Sequence, residues 1–489
     1  MTRPAFWLAL APELVFAWGA VVILLVGAIW RPRARFLGFM AVAVIAGGLA
    51  TVVWQWVRID RIYELGVMST APFLHFGDSL IFDHFSVMAR FVLGGAALIA
   101  ILLGWGFFKR VESRAPEALA MVMLSLAGFS IVASSNQLML MYLGLEVGSI
   151  ALYILAGFGR DRTESQEAGI KYFLLGAMAS AVFVYGVALL FSATGKLTVL
   201  DIGQHLNSTL YLRPLVLLVG MGLVMIGLLF KISAVPFHSW SPDVYQGAPA
   251  GMVGYIGVAA KVGGLVALMR ILFIGFEGLA DEWIPILAAV SVLSMALGVL
   301  VGMVQEDVRR ILAYSGIAHA GFVLTAFTAG VAGTPSIWFY LIVCGLQLLG
   351  AFGVVSVVSG VASSSSPLSA YRGLARTNPW MASVFSVFLL GMAGIPLTSG
   401  FFARFGVLRQ AWDAGFEWLV IVGLIAAIPG VYLYLRVVAA MYLDEPDSDV
   451  APSVGPGQRL VLVALAAVTI GVGFFPGFLL DLVGYALPL

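Results

Sequence analysis

One cysteine, Cys344, stands in a chain of 489 residues. It cannot close an internal disulfide, and a cysteine-held iron–sulfur cluster takes about four thiolates. The five histidines, His75, His84, His205, His238 and His319, are scattered, with no pair at a haem or zinc spacing. The chain is therefore expected to carry no redox centre, metal or cofactor of its own. Charge is scarce as well: 10% of residues are charged and 61% are hydrophobic, whereas soluble domains carry about 25% charged residues. The mean hydropathy is +1.04. Such a composition over this length leaves an all-α polytopic membrane protein. A transmembrane barrel would show alternating strands of about ten residues, and the apolar runs here are longer and unbroken. The net charge of +1 gives no case for nucleic acid or for a polybasic lipid-binding surface.

What is present is a succession of apolar windows, each of about twenty residues, the length that crosses a bilayer. They predict about 14 transmembrane helices: 12–30, 36–57, 84–107, 117–135, 137–158, 169–193, 215–243, 249–275, 284–303, 308–330, 335–361, 380–412, 417–442 and 459–481. Spans 7 and 12 are long and broken. The N-terminal stretch lacks a small-residue cleavage site after a short apolar core and reads as a retained first helix. Thirteen loop cations, from Arg31 to Arg459, fall on one side. Six (Arg3, Arg58, Arg61, Lys196, Arg213 and Arg270) fall on the other. The richer side faces the cytoplasm by the positive-inside rule. Both termini then lie on the outer, periplasmic side of a cell (inner) membrane. The acidic stretch "DEPDSDVAPSVGPGQ" forms the one long cytoplasmic loop.

The two broken spans are alike. "FKISAVPFHSW" in span 7 and "MAGIPLTSGFFARFG" in span 12 each pair a proline, Pro236 or Pro396, with a nearby cation. The order differs, because Lys231 precedes its proline and Arg404 follows its own. The spans lie five apart and so run in opposite directions. Paired interrupted helices are the sequence sign of inverted repeats with an ion path between them. The expected organisation is N-terminal helices 1–3 over residues 1–110, a first five-helix repeat over 111–275, and a second, inverted repeat over 276–443. An acidic loop and helix 14 follow over 444–489.

Seven cationic side chains fall outside the loops: Arg90, Lys171, Lys231, Lys261, Arg404, Arg409 and Arg436. Arg409 and Arg436 lie near span ends and are expected to snorkel. Arg90 pairs with Asp83 or snorkels and receives no role. Glu146, Lys231 and Lys261 sit deep in apolar helix, where an ionised group costs about 2.5–3.5 kcal/mol. Such groups face a bundle interior and mark an ion path. In general, burial favours a neutral amine and a nearby carboxylate favours the ammonium. At an effective dielectric of about 20, two charges 4 Å apart interact by about 4 kcal/mol, or about three pKa units. An amine whose carboxylate moves away therefore releases its proton, and a carboxylate–lysine–lysine series relays protons. The alternative is a static ion pair that fixes packing. Lys171 is expected to join from the cytoplasmic side. His319, with Ser315 and Tyr314 near it, is expected in the relay, and His238 to line an inlet. Pro236 frees backbone carbonyls, which predicts a hydrated cavity beside Lys231, and Asp243 reads as a helix cap.

These residues carry a resemblance. "KISAVPFHSWSPDVYQGAP", "YLGLEVGSIALYILAGF", "AGIKYFLLGAMASAVFVYGVALLFSATG", "RRILAYSGIAHAGF" and the early "PELVF" resemble the antiporter-like subunits of respiratory complex I. "PDVYQGAP" points to the N-type branch of that family rather than to the L- and M-type branches or the cation/proton antiporters. The resemblance covers most of residues 10–440. It implies fourteen helices, two inverted five-helix repeats, and membership of a complex that couples NADH oxidation by quinone to proton pumping. It implies that NADH, FMN, the iron–sulfur clusters and quinone belong to other subunits, and that the neighbours are an M-type subunit and small K- and J-type subunits. Carried over position by position, it assigns proton transfer to Glu146, Lys171, Lys231 and Lys261. The family's usual helix 12 lysine, in a "GFxxKF" context, is replaced by Arg404 in "GFFARF". Arginine is always protonated and cannot release a proton, so Arg404 is expected to tune Lys261 or gate water. A cation/proton antiporter subunit without redox coupling is the competing reading. A redox enzyme with its own haem and a purely structural spacer fit the residues less well.

Overall fold

A computed structural model describes residues 9–64, 73–75, 78–208, 215–360, 365–446 and 454–488. Arg3, Arg213 and residues 447–453 of the acidic loop lie outside the described residues. Every expected span has a helical counterpart. Spans 1 to 6 are Ala11–Trp30, Ala34–Glu64, His84–Leu103, Ala115–Ser134, Leu138–Ala156 and Thr163–Thr194. Span 8 is Ala250–Arg270, span 9 Ala280–Met303, span 13 Glu417–Leu443 and span 14 Pro456–Phe474. Spans 10 (Val308–Thr325) and 11 (Thr334–Val358) are joined by a tight helical turn that reverses at Gly330, whose φ is 58°. Eleven stretches of the described residues are long and apolar enough to cross a membrane, with Val308–Val358 taken as one. Beside the helices there is a small ribbon, Phe73–His75 antiparallel to Leu80–Phe82.

Spans 7 and 12 are broken where the prolines predict. The first half of span 7, Leu215–Lys231, ends on the lysine itself, and a short helix, Trp240–Gly247, follows the break. Span 12 is Pro379–Ala393, a break at residues 394–398, then Ser399–Asp413. Pro cannot donate its backbone nitrogen and clashes with the preceding turn, so neither helix runs through. Pro236 and Pro396 are both exposed on the outside of the bundle.

Helix faces follow from composition. In span 1, Trp18, Val21, Leu25 and Ile29 are exposed at three- and four-residue spacing, while Phe16, Ala20 and Ile23 are fully buried. This is an apolar helix with one face for lipid and one for protein. Where helices approach closely, glycine makes room. A side-chain carbon added at Gly128 in span 4 would lie 2.4 Å from the backbone nitrogen of Gly148 in span 5. One added at Gly298 in span 9 would lie 2.5 Å from the nitrogen of Ala318 in span 10. The helix pair 4/5 thus crosses by the same device as the pair 9/10.

Two dry ion pairs tie the helices away from the broken spans, and they correct the expected pairing. Arg90 pairs with Glu13 of span 1 at 2.7 Å and also donates to Gln55 of span 2 at 3.1 Å. Asp83 pairs with Arg270 instead, at 2.7 and 3.1 Å. Both of those side chains are wholly buried, so Arg270 is no loop cation. The guanidinium also donates to the Ala133 carbonyl at 2.7 Å and stands 4.8 Å from the Phe85 ring centre. Its planar fork matches carboxylate geometry, which favours arginine for a dry pair.

Removing one partner of such a pair strands a buried charge, at a cost of about 3–5 kcal/mol. Arg270→Ala is expected to lower the unfolding midpoint of the purified protein, and Arg270→Leu combined with Asp83→Leu to recover most of the loss. An unchanged midpoint in Arg270→Ala would show that the pair does not hold spans 3, 4 and 8 together.

Candidate functional site

Span 5 places Glu146, Ser149 and Tyr153 on one helix face, since residues three and seven apart lie above one another. Lys231, on the last turn of the first half of span 7, projects against this face and is 4% exposed. Its Nζ donates to Ser149 Oγ at 2.8 Å and to Tyr153 Oη at 3.0 Å. The Glu146 carboxylate stands 3.9 Å away. Ser180 of span 6 donates a short hydrogen bond to that same carboxylate oxygen. Gly176, one turn before Ser180, leaves room for the Tyr153 hydroxyl, which an added carbon there would meet at 2.0 Å. The carboxylate and ammonium therefore meet in a shell of hydroxyl groups, which rotate freely between donor and acceptor roles.

The break after Lys231 is closed by protein. The Phe230 carbonyl accepts from the Trp240 indole at 2.9 Å, and Val235 N–H donates to Ser294 of span 9 at 2.9 Å. The Phe230 carbonyl at the break thus has a protein donor. A cavity of about 40 Å³ lies beside Lys261, lined by Lys261, Gly316, His319, Tyr340, Cys344 and Met392 among others. A water needs about 10–15 Å³ on this measure, so the cavity has room for a few.

Lys261 of span 8 donates to Tyr245 Oη at 3.3 Å. Its Nζ is 2.9 Å from where a side-chain carbon of Gly316 would stand, so this glycine admits the ammonium against span 10. One turn on from Lys261, Gly264 lies against the Lys231 side chain, where an added carbon would be 3.1 Å from Lys231 Cβ. The two lysines thus lie on abutting helices, with no direct hydrogen bond between them among the described residues. Across the cavity, His319 is held at both ring nitrogens. Tyr340 of span 11 bonds Nδ1 at 2.6 Å and Tyr434 of span 13 bonds Nε2 at 3.0 Å. Cys344 Sγ lies 3.9 Å from Nδ1.

Arg404 does not enter the cavity as a free charge. It reaches back across the span 12 break and donates to the carbonyls of Ala393 at 2.7 Å and Met392 at 2.9 Å. A helix leaves its last carbonyls unpaired and negative, and Arg404 caps them. Its guanidinium lies 4.6 Å from the Phe322 ring centre.

Three expectations change. Lys171 does not join Lys231. Its side chain is 42% exposed and paired with Glu167 at 2.7 Å and Asp243 at 2.8 Å. Asp243 is no cap, for it bridges Lys171 to Arg310 of span 10 at 3.1 Å. Lys171, Glu167 and Asp243 line a surface cleft of about 330 Å³ at the arginine-bearing end. Arg436 does not snorkel, since it donates to the Met303 carbonyl that ends span 9. Arg409 is exposed and pairs with Asp413 at 3.5 Å, as a residue at a span end would. His238 is partly buried in the turn between the two halves of span 7 and makes no hydrogen bond to Lys231 or Glu146. Among the described residues, no group of three or more His, Cys, Asp or Glu is placed to hold a metal ion. The sequence reading missed Ser149, Tyr153, Ser180, Tyr245, Tyr340 and Tyr434. The first two were findable, at i+3 and i+7 from Glu146. The partners of His319 were not, because spans 11 and 13 meet it only in the fold.

A bundle of membrane-length helices, two of them broken, with amines, an imidazole and a guanidinium drawn to its interior, defines an antiporter-like membrane subunit. Residues 135–429 match the family model described as NADH:quinone oxidoreductase/Mrp antiporter, TM, and the chain belongs to that family. It is 35% identical to NADH-quinone oxidoreductase subunit N 1 of Solibacter usitatus, with 86% of each chain covered. It is 41% identical to NADH-quinone oxidoreductase subunit N of Mycobacterium tuberculosis, over 77% of this chain and 72% of that one. Among solved structures it is similar to a chain of respiratory complex I from Thermus thermophilus with bound aureothin. That match has a TM-score of 0.79 and 29% identity, over 96% of this chain and 98% of the other.

Arg404→Met leaves the Met392 and Ala393 carbonyls without their donor. Burying an unsatisfied polar group costs about 1–3 kcal/mol, so the variant is expected to unfold at lower temperature. Arg404→Lys, with one charged head in place of a fork, is expected to fall between. Equal stability of all three proteins would show that the cap bears no load.

Proposed function

We propose that this chain is the N-type proton-translocating membrane subunit of an NADH–quinone oxidoreductase. The observation that carries the reading is the interior series of Glu146 with Lys231, then Lys261, then the cavity it shares with His319. The family match and the subunit N relatives supply the redox complex to which such a series belongs.

In this reading NADH, FMN, the iron–sulfur clusters and quinone are held by other subunits, and this chain moves protons only. Lys231 holds its proton while Glu146 is near. When the carboxylate moves away from Nζ, the ammonium loses its counter-charge, and the Ser149 or Tyr153 oxygen takes the released proton as that hydroxyl gives up its own. Lys261 then takes it up beside the cavity and passes it to His319. Lys171 and Asp243 lie at the arginine-bearing end, where protons arrive, and His238 lines the inlet. Arg404 stays charged and holds the break of span 12 in place.

The fourteen spans cross the bilayer as two inverted repeats, spans 4–8 and 9–13. The matched glycine crossings of spans 4/5 and 9/10 and the two breaks support that symmetry. The chain sits in the inner cell membrane with both termini outside, next to an M-type subunit and small K- and J-type subunits.

The test is proton pumping and NADH–quinone turnover in membranes that carry Lys231→Ala and Lys231→Arg in the assembled complex. Both variants are expected to lose most of both activities, because alanine holds no proton and arginine never gives one up. Wild-type protons per electron pair in both would reduce Lys231 to a packing charge.

A further inference from the structure

Many cations at the end of the bundle that carries Arg309 and Arg310 have a partner inside the chain. Arg310 pairs with Asp243 at 3.1 Å, Arg372 with Asp444 at 3.4 Å and Arg376 with Glu445 at 3.6 Å. Arg162 donates to the Gly247 carbonyl at 3.2 Å and Arg309 to the Gln246 carbonyl at 3.0 Å. Arg114 turns to Asp161 at 3.9 Å and stands 5.8 Å from the Phe158 ring centre. Three arginines differ. Arg31 and Arg33, at the turn between spans 1 and 2, and Arg110, shortly before span 4, are exposed. Among the described residues no ion pair or side-chain hydrogen bond holds any of them. All three line one cleft of about 1100 Å³.

Two carboxylates share that cleft. Glu112, in the turn before span 4, and Glu117, in its first turn, line it and are exposed. They too are in no ion pair among the described residues. Five charged groups of both signs thus ring one space without closing on one another. The rest of the wall is largely apolar, with Leu24, Leu25 and Ala28 of span 1 and Pro116 at the start of span 4. Gly27 lets the two helices meet at the floor, since a side-chain carbon added there would lie 2.3 Å from Pro116 Cγ. Leu25 continues the exposed apolar face of Val21 and Val22 on the same helix. Trp30 ends that helix and is exposed, a residue type that gathers where hydrocarbon meets headgroups. At about 1.5 Å per residue, Arg31 stands about 10 Å further along the axis than Leu24. The cleft therefore runs from hydrocarbon depth at its apolar wall to headgroup depth at its charged rim.

An occupant has to match both parts. An acyl chain alone leaves five charges unmet, and a purely anionic headgroup meets the arginines but is repelled by the carboxylates. A phosphodiester beside a primary ammonium satisfies both signs. Guanidinium groups take phosphate oxygens in bidentate pairs, an ammonium offers three N–H donors to carboxylates, and the acyl chains lie along the exposed face of span 1. We propose that this cleft binds a zwitterionic phospholipid with a primary amine, of the phosphatidylethanolamine type, with its phosphate on Arg31, Arg33 and Arg110 and its ammonium on Glu112 and Glu117. A choline headgroup, whose nitrogen carries three methyl groups and no N–H, lacks the second set of contacts. The net charge of +1 gives no case for a polybasic surface, and a rim of mixed sign is not one. The site stands apart from the proton relay and does not depend on which side of the membrane this end faces. A lipid held there ties the turn after span 1 to the start of span 4.

The test is native mass spectrometry of the purified full chain, stripped of lipid in detergent and titrated with phosphatidylethanolamine, phosphatidylcholine and phosphatidylglycerol of one acyl composition. The ethanolamine lipid is expected to bind most tightly. A cation near a lipid headgroup changes affinity by about fivefold, so Arg31→Gln, Arg33→Gln and Arg110→Gln are each expected to weaken all three lipids by about that factor. Glu112→Gln combined with Glu117→Gln is expected to weaken the ethanolamine lipid and strengthen phosphatidylglycerol, which reverses their order. The five side chains are exposed, so these variants are expected to keep the wild-type unfolding midpoint. Equal binding of the ethanolamine and choline lipids by the wild-type chain, or tighter binding of phosphatidylglycerol, would overturn the proposal. Arginine variants that bind all three lipids as the wild type does would overturn it too. In the assembled complex, Ala28→Cys labelled with a benzophenone reports what fills the cleft, with the unsubstituted protein as the control for Cys344. A lipid adduct on irradiation supports the site, and a cross-link to another subunit overturns it.

Discussion

A charge inside a bilayer must find an opposite charge, a dipole or water within reach, and the architecture here follows from that requirement. Taking an ion out of water costs several kilocalories per mole even after relaxation. Arg90 and Arg270 find carboxylates, Arg404 and Arg436 find the carbonyl ends of helices, and Lys231 finds two hydroxyls and a carboxylate. Each of these contacts except that of Arg404 joins two different spans, so the cost of burying charge is offset only when the helices assemble. Polar contacts thereby fix which helices are neighbours in a medium where apolar burial cannot.

The partners divide the buried cations into two kinds. The guanidinium groups face carboxylates or carbonyls, in contacts that hold one geometry and one charge state. The lysines and the histidine face hydroxyls: Ser149 and Tyr153 at Lys231, Tyr245 at Lys261, Tyr340 and Tyr434 at His319. A hydroxyl both donates and accepts, and it reorients without moving its ring or backbone. The permanent charges build the frame, and the groups that can gain or lose a proton sit among side chains that tolerate either state.

Much of this was legible in the sequence because it is local. The apolar windows mark the helices, Pro236 and Pro396 mark the breaks, and the depth of Glu146, Lys231 and Lys261 marks the interior face. What escaped depends on the fold. Arg90 seemed to belong to Asp83, seven residues away, yet its partner Glu13 lies on another helix. Arg270 read as a loop cation because it ends span 8, and only packing against spans 3 and 4 shows that it is dry. Lys171 looked interior from its place in an apolar run. Helix rotation about the axis decides such cases, and it turned Lys171 toward a surface cleft. The same limit hid the tyrosines on His319.

The two broken helices are closed by different means. In span 7 the gap is bridged by neutral groups, an indole on the Phe230 carbonyl and a serine hydroxyl on the Val235 amide. In span 12 it is bridged by a guanidinium that grips two carbonyls at once. Charge-assisted hydrogen bonds are roughly twice as strong as neutral ones. The polar side chains that close the break of span 7 are thus of the weaker, neutral kind, and the one that closes span 12 carries a fixed charge.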